Sequence, residues 1–313
     1  MEGEMFVLTL LRAQIAAGLA VLAVLLLRGP VRRLAGPSVA YGLWALVPAA
    51  AVSSLFPTLA EFLRQDSLFA AMPTRAGGGW LRALSDDGVW RGWAPGLAAA
   101  WFAGAVSLAL LFGWGEARFR RLARLGLAGP AVIGIAAPRL VTPHDYTERF
   151  TETERGFIRR HERTHMLRQD HLANLMIAVV QVVGWFNPLI HLAAAIARLD
   201  QEAACDAQVL EGRPSDRRPY AEALLKAHMQ GTRTGGLACA WAPANRHPLE
   251  LRLRLLARPE PSLRRYVVGV TTVGALAVLA AAAVWTLAPR QSPRTASVAA
   301  VAVAGVATTS VSA

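Results

Sequence analysis

Residues 161–210 read HERTHMLRQDHLANLMIAVVQVVGWFNPLIHLAAAIARLDQEAACDAQVL, and the way this stretch folds constrains the rest of the chain. It opens on His161-Glu162-Arg163-Thr164-His165. On an α-helix residues i and i+4 share a face, so both imidazoles can reach one zinc ion, with Glu162 beside the first of them as a general base. A five-residue pattern arises by chance often enough that it needs a third ligand. Near the end of the stretch Glu202 and Asp206 are again i and i+4, and either could supply it. Between the two motifs residues 172–197 are apolar, with a helix-stop signal at Gly184-Trp185-Phe186-Asn187-Pro188. A true membrane span here would carry Glu202 to the opposite side from His161. A helical hairpin folded at the break, with arms of roughly 28 and 21 Å at 1.5 Å per residue, returns it. The metal geometry therefore predicts a hairpin and not a further span.

Working outward, residues 131–142 (AVIGIAAPRLVT) alternate loosely, are β-branched and are broken by a Gly and a Pro, which suits one or two short strands. Thr151 and Glu154 form a capping-box pair that starts the helix carrying the histidines. After Gly212 the chain is polar as far as Tyr220, and a short helix is expected over residues 221–229. Apolar blocks of membrane-spanning length occur at 6–27, 38–56, 94–114 and 266–287. Arg12 and Gln14 interrupt the first near its start, where a long side chain can snorkel to the interface. The composition agrees with a membrane protein: the 313 residues are 54% hydrophobic, with mean hydropathy +0.35.

Basic residues outnumber acidic ones 33 to 21, and all but Lys226 are Arg. Most stand beside the apolar blocks and no basic patch carries interleaved aromatics, so direct nucleic-acid binding is not expected. Arg28, Arg32 and Arg33 follow the first span. Arg118, Arg120, Arg121 and Arg124 follow the third, and Arg252, Arg254, Arg258, Arg264 and Arg265 precede the fourth. Arginine excess marks the cytoplasmic side, so residues 115–265 are expected inside and both termini outside. Cys205 and Cys239 are too few and too far apart for a zinc ribbon or a disulfide framework, and are read as reduced.

The strand VIGIAAPRLVTP, the form HERTHMLRQD, the WFNP break and the form EAACDAQVL occur in order, and together with the four-span layout they resemble bacterial membrane metallopeptidases of the BlaR/MecR type. The resemblance implies zinc held by His161, His165 and Glu202, with Glu162 activating water. It implies that Asp206 orients a ligand imidazole, and Asp170 matches a further family position. Residues 246–252 (RHPLELR) are similar to a stretch of CAAX prenyl protease-type membrane peptidases, which implies that His247 or Arg252 stabilises the oxyanion. Cys205 is read as a packing residue, since two His and a Glu already complete a site with an open water position.

The expected architecture is a mostly α-helical membrane protein. Residues 1–114 hold three spans, and 115–265 form a cytoplasmic, gluzincin-like zinc metalloprotease domain with a small β element. Residues 266–287 are the fourth span and 288–313 an external low-complexity tail. That tail has no Ser-x-x-Lys motif, so a short member without the penicillin-sensor domain is expected. The implied setting is the bacterial cytoplasmic membrane, with lipid contacts. The implied function is regulatory cleavage of a cytosolic protein, such as a winged-helix repressor, or of the chain itself; a homodimer is a further expectation. A non-enzymatic signalling component that retains the fold is the alternative.

Overall fold

The computed structural model describes residues 2–55, 89–229, 239–240 and 246–287. The chain is almost wholly helical. Three helices are long and apolar enough to cross a membrane: α1 (Glu2–Leu34), α4 (Val89–Arg124) and α11 (Leu263–Leu287). The span expected at 38–56 is a shorter, interrupted helical run. It consists of α2 (Pro37–Gly42), a 3₁₀ turn (Leu43–Ala45) and α3 (Leu46–Ser53). Most of the loop expected outside, and the tail at 288–313, lie outside the described residues.

Between α4 and α11 comes the part that holds the two motifs. Strands β1 (Ala131–Ile133) and β2 (Arg139–Val141) pair antiparallel, with Val132 opposite Leu140. They are followed by α5 (Tyr146–Arg149), α6 (Glu152–Leu167), α7 (Asp170–Val183), α8 (Pro188–Val209) and α9 (Arg217–Met229). A third strand, β3 (Cys239–Ala240), adds to β1 to give the order β2-β1-β3, and α10 (Arg246–Leu256) leads to α11. The third strand was not expected, because a two-residue pairing leaves no alternation to read.

Local chemistry accounts for the helix boundaries around the site. The Thr151 side chain accepts from the Glu154 amide at 3.4 Å and the Glu154 carboxylate accepts from the Thr151 amide at 2.8 Å, so the predicted capping box starts α6. At the head of α8 the Asn187 side chain accepts from the Leu189 amide at 3.1 Å and Pro188 takes the first helical position, where its missing N–H costs nothing.

Helices α7 and α8 form the predicted hairpin, and its depth can be read against α1. At the tip, Asn187 Nδ2 donates to Gln14 Oε1 at 3.2 Å, Trp185 Nε1 donates to the Trp101 carbonyl at 3.2 Å, and Trp101 Nε1 donates to the Val183 carbonyl at 3.0 Å. At the open end, Asp200 accepts from Arg28 Nε and NH2 at 2.8 and 2.6 Å, from Arg32 at 3.2 Å and from Trp44 Nε1 at 2.9 Å. From Gln14 to Arg28 α1 rises about 21 Å, so the hairpin runs beside most of a bilayer's hydrocarbon depth and comes back. Gln14 is therefore buried at the hairpin tip and does not snorkel. Arg28 and Arg32, read only as topology signals, also fasten α1 to α8. Two glycines allow the close fit: a Cβ on Gly104 would lie 2.2 Å from the Trp185 ring, and one on Gly184 would lie 2.7 Å from Gln14 Oε1.

Among the described residues, two of the three apolar cores flank the site, the third being a small one of Phe119, Ala128, Ala131 and Ile133. Of the two, one joins Val21, Val24, Leu43, Val47, Ile190 and Ala197 among α1, the 3₁₀ turn, α3 and α8. The other joins Phe150, Phe157, Ile158, Val209, Tyr220 and Leu224 around α6, α9 and the far end of α8. The site lies where α8 passes from the first to the second.

Candidate metal centre

Helix α6 turns Phe157, Ile158, His161, Glu162 and His165 inward together. The two imidazoles meet through their Nε2 atoms, 3.0 Å apart. Glu202 on α8 brings Oε2 to 3.4 Å from His161 Nε2 and Oε1 to 3.4 Å from His165 Nε2. Donors bound at about 2.0–2.1 Å by a tetrahedral zinc stand roughly 3.3–3.4 Å apart, so the three groups are spaced as ligands of one ion.

The other ring nitrogens decide what those Nε2 atoms carry. His165 Nδ1 lies 2.6 Å from Asp170 Oδ2, so it holds the proton and donates it. His161 Nδ1 lies 2.9 Å from the Tyr220 hydroxyl, which itself donates to Asp206 Oδ1 at 2.6 Å. A hydroxyl with its proton committed to Asp206 can only accept from His161, so Nδ1 again holds the proton. With each Nδ1 engaged in this way, the two Nε2 atoms face each other and a carboxylate. Against the cost of burial, Cys205, Asp206 and Glu202 raise the affinity of His161 for a second proton, which a metal ion would displace. Such an arrangement calls for a shared cation, a proton or a metal ion, and tethering Nδ1 to a second partner is how metal-binding histidines are oriented.

Charge leads to the same conclusion. Four buried carboxylates, Glu162, Asp170, Glu202 and Asp206, face two arginines, Arg168 and Arg252, an excess of two negative charges. Arg252 is fully buried. Its Nε and NH2 donate to Asp206 at 2.6 and 2.7 Å, and NH1 lies 3.2 Å from Glu202 Oε2. Burial alone would raise the Asp206 and Glu202 carboxyls, but Arg252 and the histidines hold both well below the usual carboxylate range. Both oxygens of Glu162 are buried without a hydrogen-bond partner. Burial pushes its carboxyl up to about 7 against the opposing pull of His161 and His165, with Glu202 adding to the rise. A buried carboxylate left unsatisfied is a group kept for water or for a substrate. The residues present, two imidazoles and a carboxylate, fit a divalent cation.

This geometry coincides with a family match. The model of the BlaR1 peptidase M56 family fits residues 8–124 and 123–256, which takes in both the helical bundle and the site. The chain belongs to that peptidase family. It is 30% identical over 117 residues to the regulatory protein BlaR1 of Bacillus licheniformis, a match over 36% of this chain and 19% of the relative. It is 30% identical over 99 residues to the methicillin resistance mecR1 proteins of Staphylococcus aureus and Staphylococcus epidermidis, over 31% of this chain and 17% of theirs. The matched segment thus spans less than a fifth of each relative's length.

Within this M56 chain the structure brings His161, Glu162, His165, Asp170, Glu202, Asp206 and Arg252 together. It differs from expectation in three details. Asp206 reaches His161 chiefly through Tyr220, its own oxygen lying 3.4 Å from Nδ1. Arg252, one of the two residues expected at the oxyanion, has no exposed surface and is bound to Asp206 and Glu202. Cys205, read as packing, is buried and places Sγ 3.5 Å from His161 Nδ1; its sulfur and a donor of each histidine lie within 4.8 Å of one another. The sulfur's contact with His161 is to the nitrogen that also meets Tyr220, whereas Glu202 brings an oxygen to 3.4 Å from each Nε2, which favours Glu202 as the third donor. His247 is in the first turn of α10 with its side chain outside the described residues. Tyr220 was missed, because a lone tyrosine in a polar run has no partner spacing to mark it.

Proposed function

We propose that this M56 chain is a membrane-embedded zinc endopeptidase with a regulatory role, its metal held by His161, His165 and Glu202. The observation that carries the reading is the pair of Nδ1-tethered histidines whose Nε2 atoms, 3.0 Å apart, face one carboxylate. Zinc, when bound, supplies a Lewis acid that polarises a peptide carbonyl and makes water more acidic. The chain's own groups do the rest. Glu162 takes the proton from the attacking water, and a carboxyl near neutrality in its affinity can pass that proton to the departing amine. Tyr220 with Asp206, and Asp170, hold the two rings in the binding tautomer. Arg252 positions Glu202 and Asp206, and His247 is left as the candidate contact for the oxyanion.

By the arginine excess, the site end of the bundle faces the cytoplasm of a bacterial inner membrane. The relatives are a regulatory and a methicillin-resistance protein, and this supports a cytosolic repressor of winged-helix type, or the chain itself, as the substrate. The test uses full-length protein in lipid, with zinc measured by mass spectrometry and cleavage followed on the candidate repressor and on the chain. Glu162→Gln should keep its zinc while proteolysis falls by about 10²–10⁴-fold; His161→Ala should lose both. Wild-type cleavage by the Glu162→Gln protein would refute the mechanism.

A second reading rests on Cys205. If its sulfur joined the histidines as a ligand the site would be closed and structural, and the protein a non-enzymatic signalling component. Cys205→Ala should leave zinc content and cleavage unchanged on the first reading, and should empty the site on the second.

A further inference from the structure

Away from the metal centre, a cavity of about 180 Å³ lies where the end of α1 meets the 257–262 linker and the start of α11. Five arginines line it, Arg32, Arg33, Arg217, Arg258 and Arg265, with a single carboxylate, Glu260. Glu260 is already taken by Arg217 at 3.0 Å, and Arg32 is shared with Asp200 at 3.2 Å. Among the described residues Arg33, Arg258 and Arg265 have no carboxylate partner, and Arg217 Nε is buried without an acceptor. Guanidinium groups beside a span ordinarily spread into water. Here Arg33, Arg258 and Arg265, each exposed, stand around one concavity, and an anion entering it relieves the mutual repulsion that solvent only screens.

The cavity's place in the fold selects the anion. Arg33 is one residue from the end of α1 at Leu34 and Arg265 two residues from the start of α11 at Leu263, so the opening stands at the ends of two candidate spans, at headgroup level. We propose that this pocket binds the phosphate of an anionic phospholipid headgroup, with the acyl chains running beside α1 and α11. Basic pockets between membrane helices recognise such headgroups by the same chemistry. The cavity is also lined by Ala207 of α8, Arg217 of α9 and Leu256 of α10. Those helices carry Glu202 and Asp206, Tyr220, and Arg252 respectively, so an occupant joins three of the four helices that build the metal centre, α6 being the fourth.

The experiment uses the full chain in phosphatidylcholine nanodiscs, titrated with phosphatidylglycerol and followed by thermal unfolding and native mass spectrometry. The wild type should gain saturable stabilisation and retain lipid. Arg33, Arg258 and Arg265 replaced together by Gln should weaken the apparent affinity by on the order of 100-fold, and Arg258→Gln alone by about fivefold, since each arginine acts as one charge near the surface. Arg118, Arg121 and Arg124 on α4, outside the pocket, replaced together by Gln lose the same charge and should respond as the wild type does. Equal loss in both triple variants would show bulk attraction and overturn the site. Inorganic phosphate stabilising the neutral nanodisc protein as strongly as the lipid would overturn the headgroup assignment.

Discussion

A tyrosine hydroxyl has one proton to give, and Tyr220 gives it to Asp206 at 2.6 Å. Burial and the Asp206 charge keep its pKa well above the usual phenol value, so it stays neutral and its lone pairs face the His161 Nδ1 proton. Tyr220→Phe removes that acceptor without changing the ring packed against Phe157. Zinc affinity should fall about 10–100-fold while the fold persists, measured by competition with a chromogenic chelator. Arg252 should behave differently. Arg252→Gln leaves Asp206 and Glu202 as buried carboxylates short of a cation, and removing one partner of such a pair costs about 3–5 kcal/mol. Thermal unfolding should register that loss; a variant with unchanged stability and reduced kcat would restore the oxyanion role expected for it. At this scale the sequence was most informative where spacing is local. His161, Glu162 and His165 are one turn apart on a single helix, and Glu202 follows once the break at residues 184–188 is read as a turn. Tyr220 and Arg252 arrive from α9 and α10, and nothing in their neighbours marks the partners they meet.

Among the elements, α8 does the most positioning. Three consecutive residues face three neighbours: Asp200 binds Arg28, Arg32 and Trp44, Gln201 donates to the Tyr41 hydroxyl at 2.9 Å, and Glu202 faces the histidines. The rotation of α8 that sets Glu202 is thus fixed by contacts with α1 and α2. Asp200→Asn keeps the shape but leaves the two arginines without their carboxylate, a loss of roughly 3 kcal/mol for a largely buried pair. Stability and zinc affinity should fall together, though Asp200 touches neither histidine. Thr151→Ala, at the head of α6, should cost only about 1 kcal/mol and leave metal affinity near wild type, since the ligands lie more than two turns inside the helix. The capping box and the helix stop were readable because both are written in neighbouring residues. The broken run of α2 and α3 was not, since its apolar composition is that of a span and its interruption at Leu43–Ala45 contains neither Gly nor Pro.

At the scale of the whole molecule the hairpin sets the topology. An apolar stretch from 172 to 197 is long enough in total to cross a bilayer, and a hydropathy count alone would have made it a span and put His161 and Glu202 on opposite sides. The contacts exclude that. The tip meets Gln14 and Trp101 while the open end meets Arg28, so α7 enters beside α1 and α8 leaves beside it by the same end. Buried Gln14 and half-buried Asn187 are hydrogen-bonded to each other at the tip, as polar groups at that depth need to be. Accessibility to a membrane-impermeant thiol reagent follows directly. With Cys205 and Cys239 replaced by Ala, single cysteines at Arg163 before the hairpin, Glu211 after it and Arg258 beyond α10, all exposed, should label from the same face. On the proposed orientation that face is the cytoplasmic one, so intact cells should protect all three and inverted vesicles should expose them. Labelling of Arg163→Cys and Glu211→Cys from opposite faces would mean that the stretch crosses the bilayer, and the metal centre could not then assemble from α6 and α8 of one chain. A larger residue at Gly104 gives an independent check. Gly104→Leu drives atoms into the Trp185 ring and should cost about 1–3 kcal/mol by overpacking, loosening the hairpin tip while the capping box of α6 is untouched.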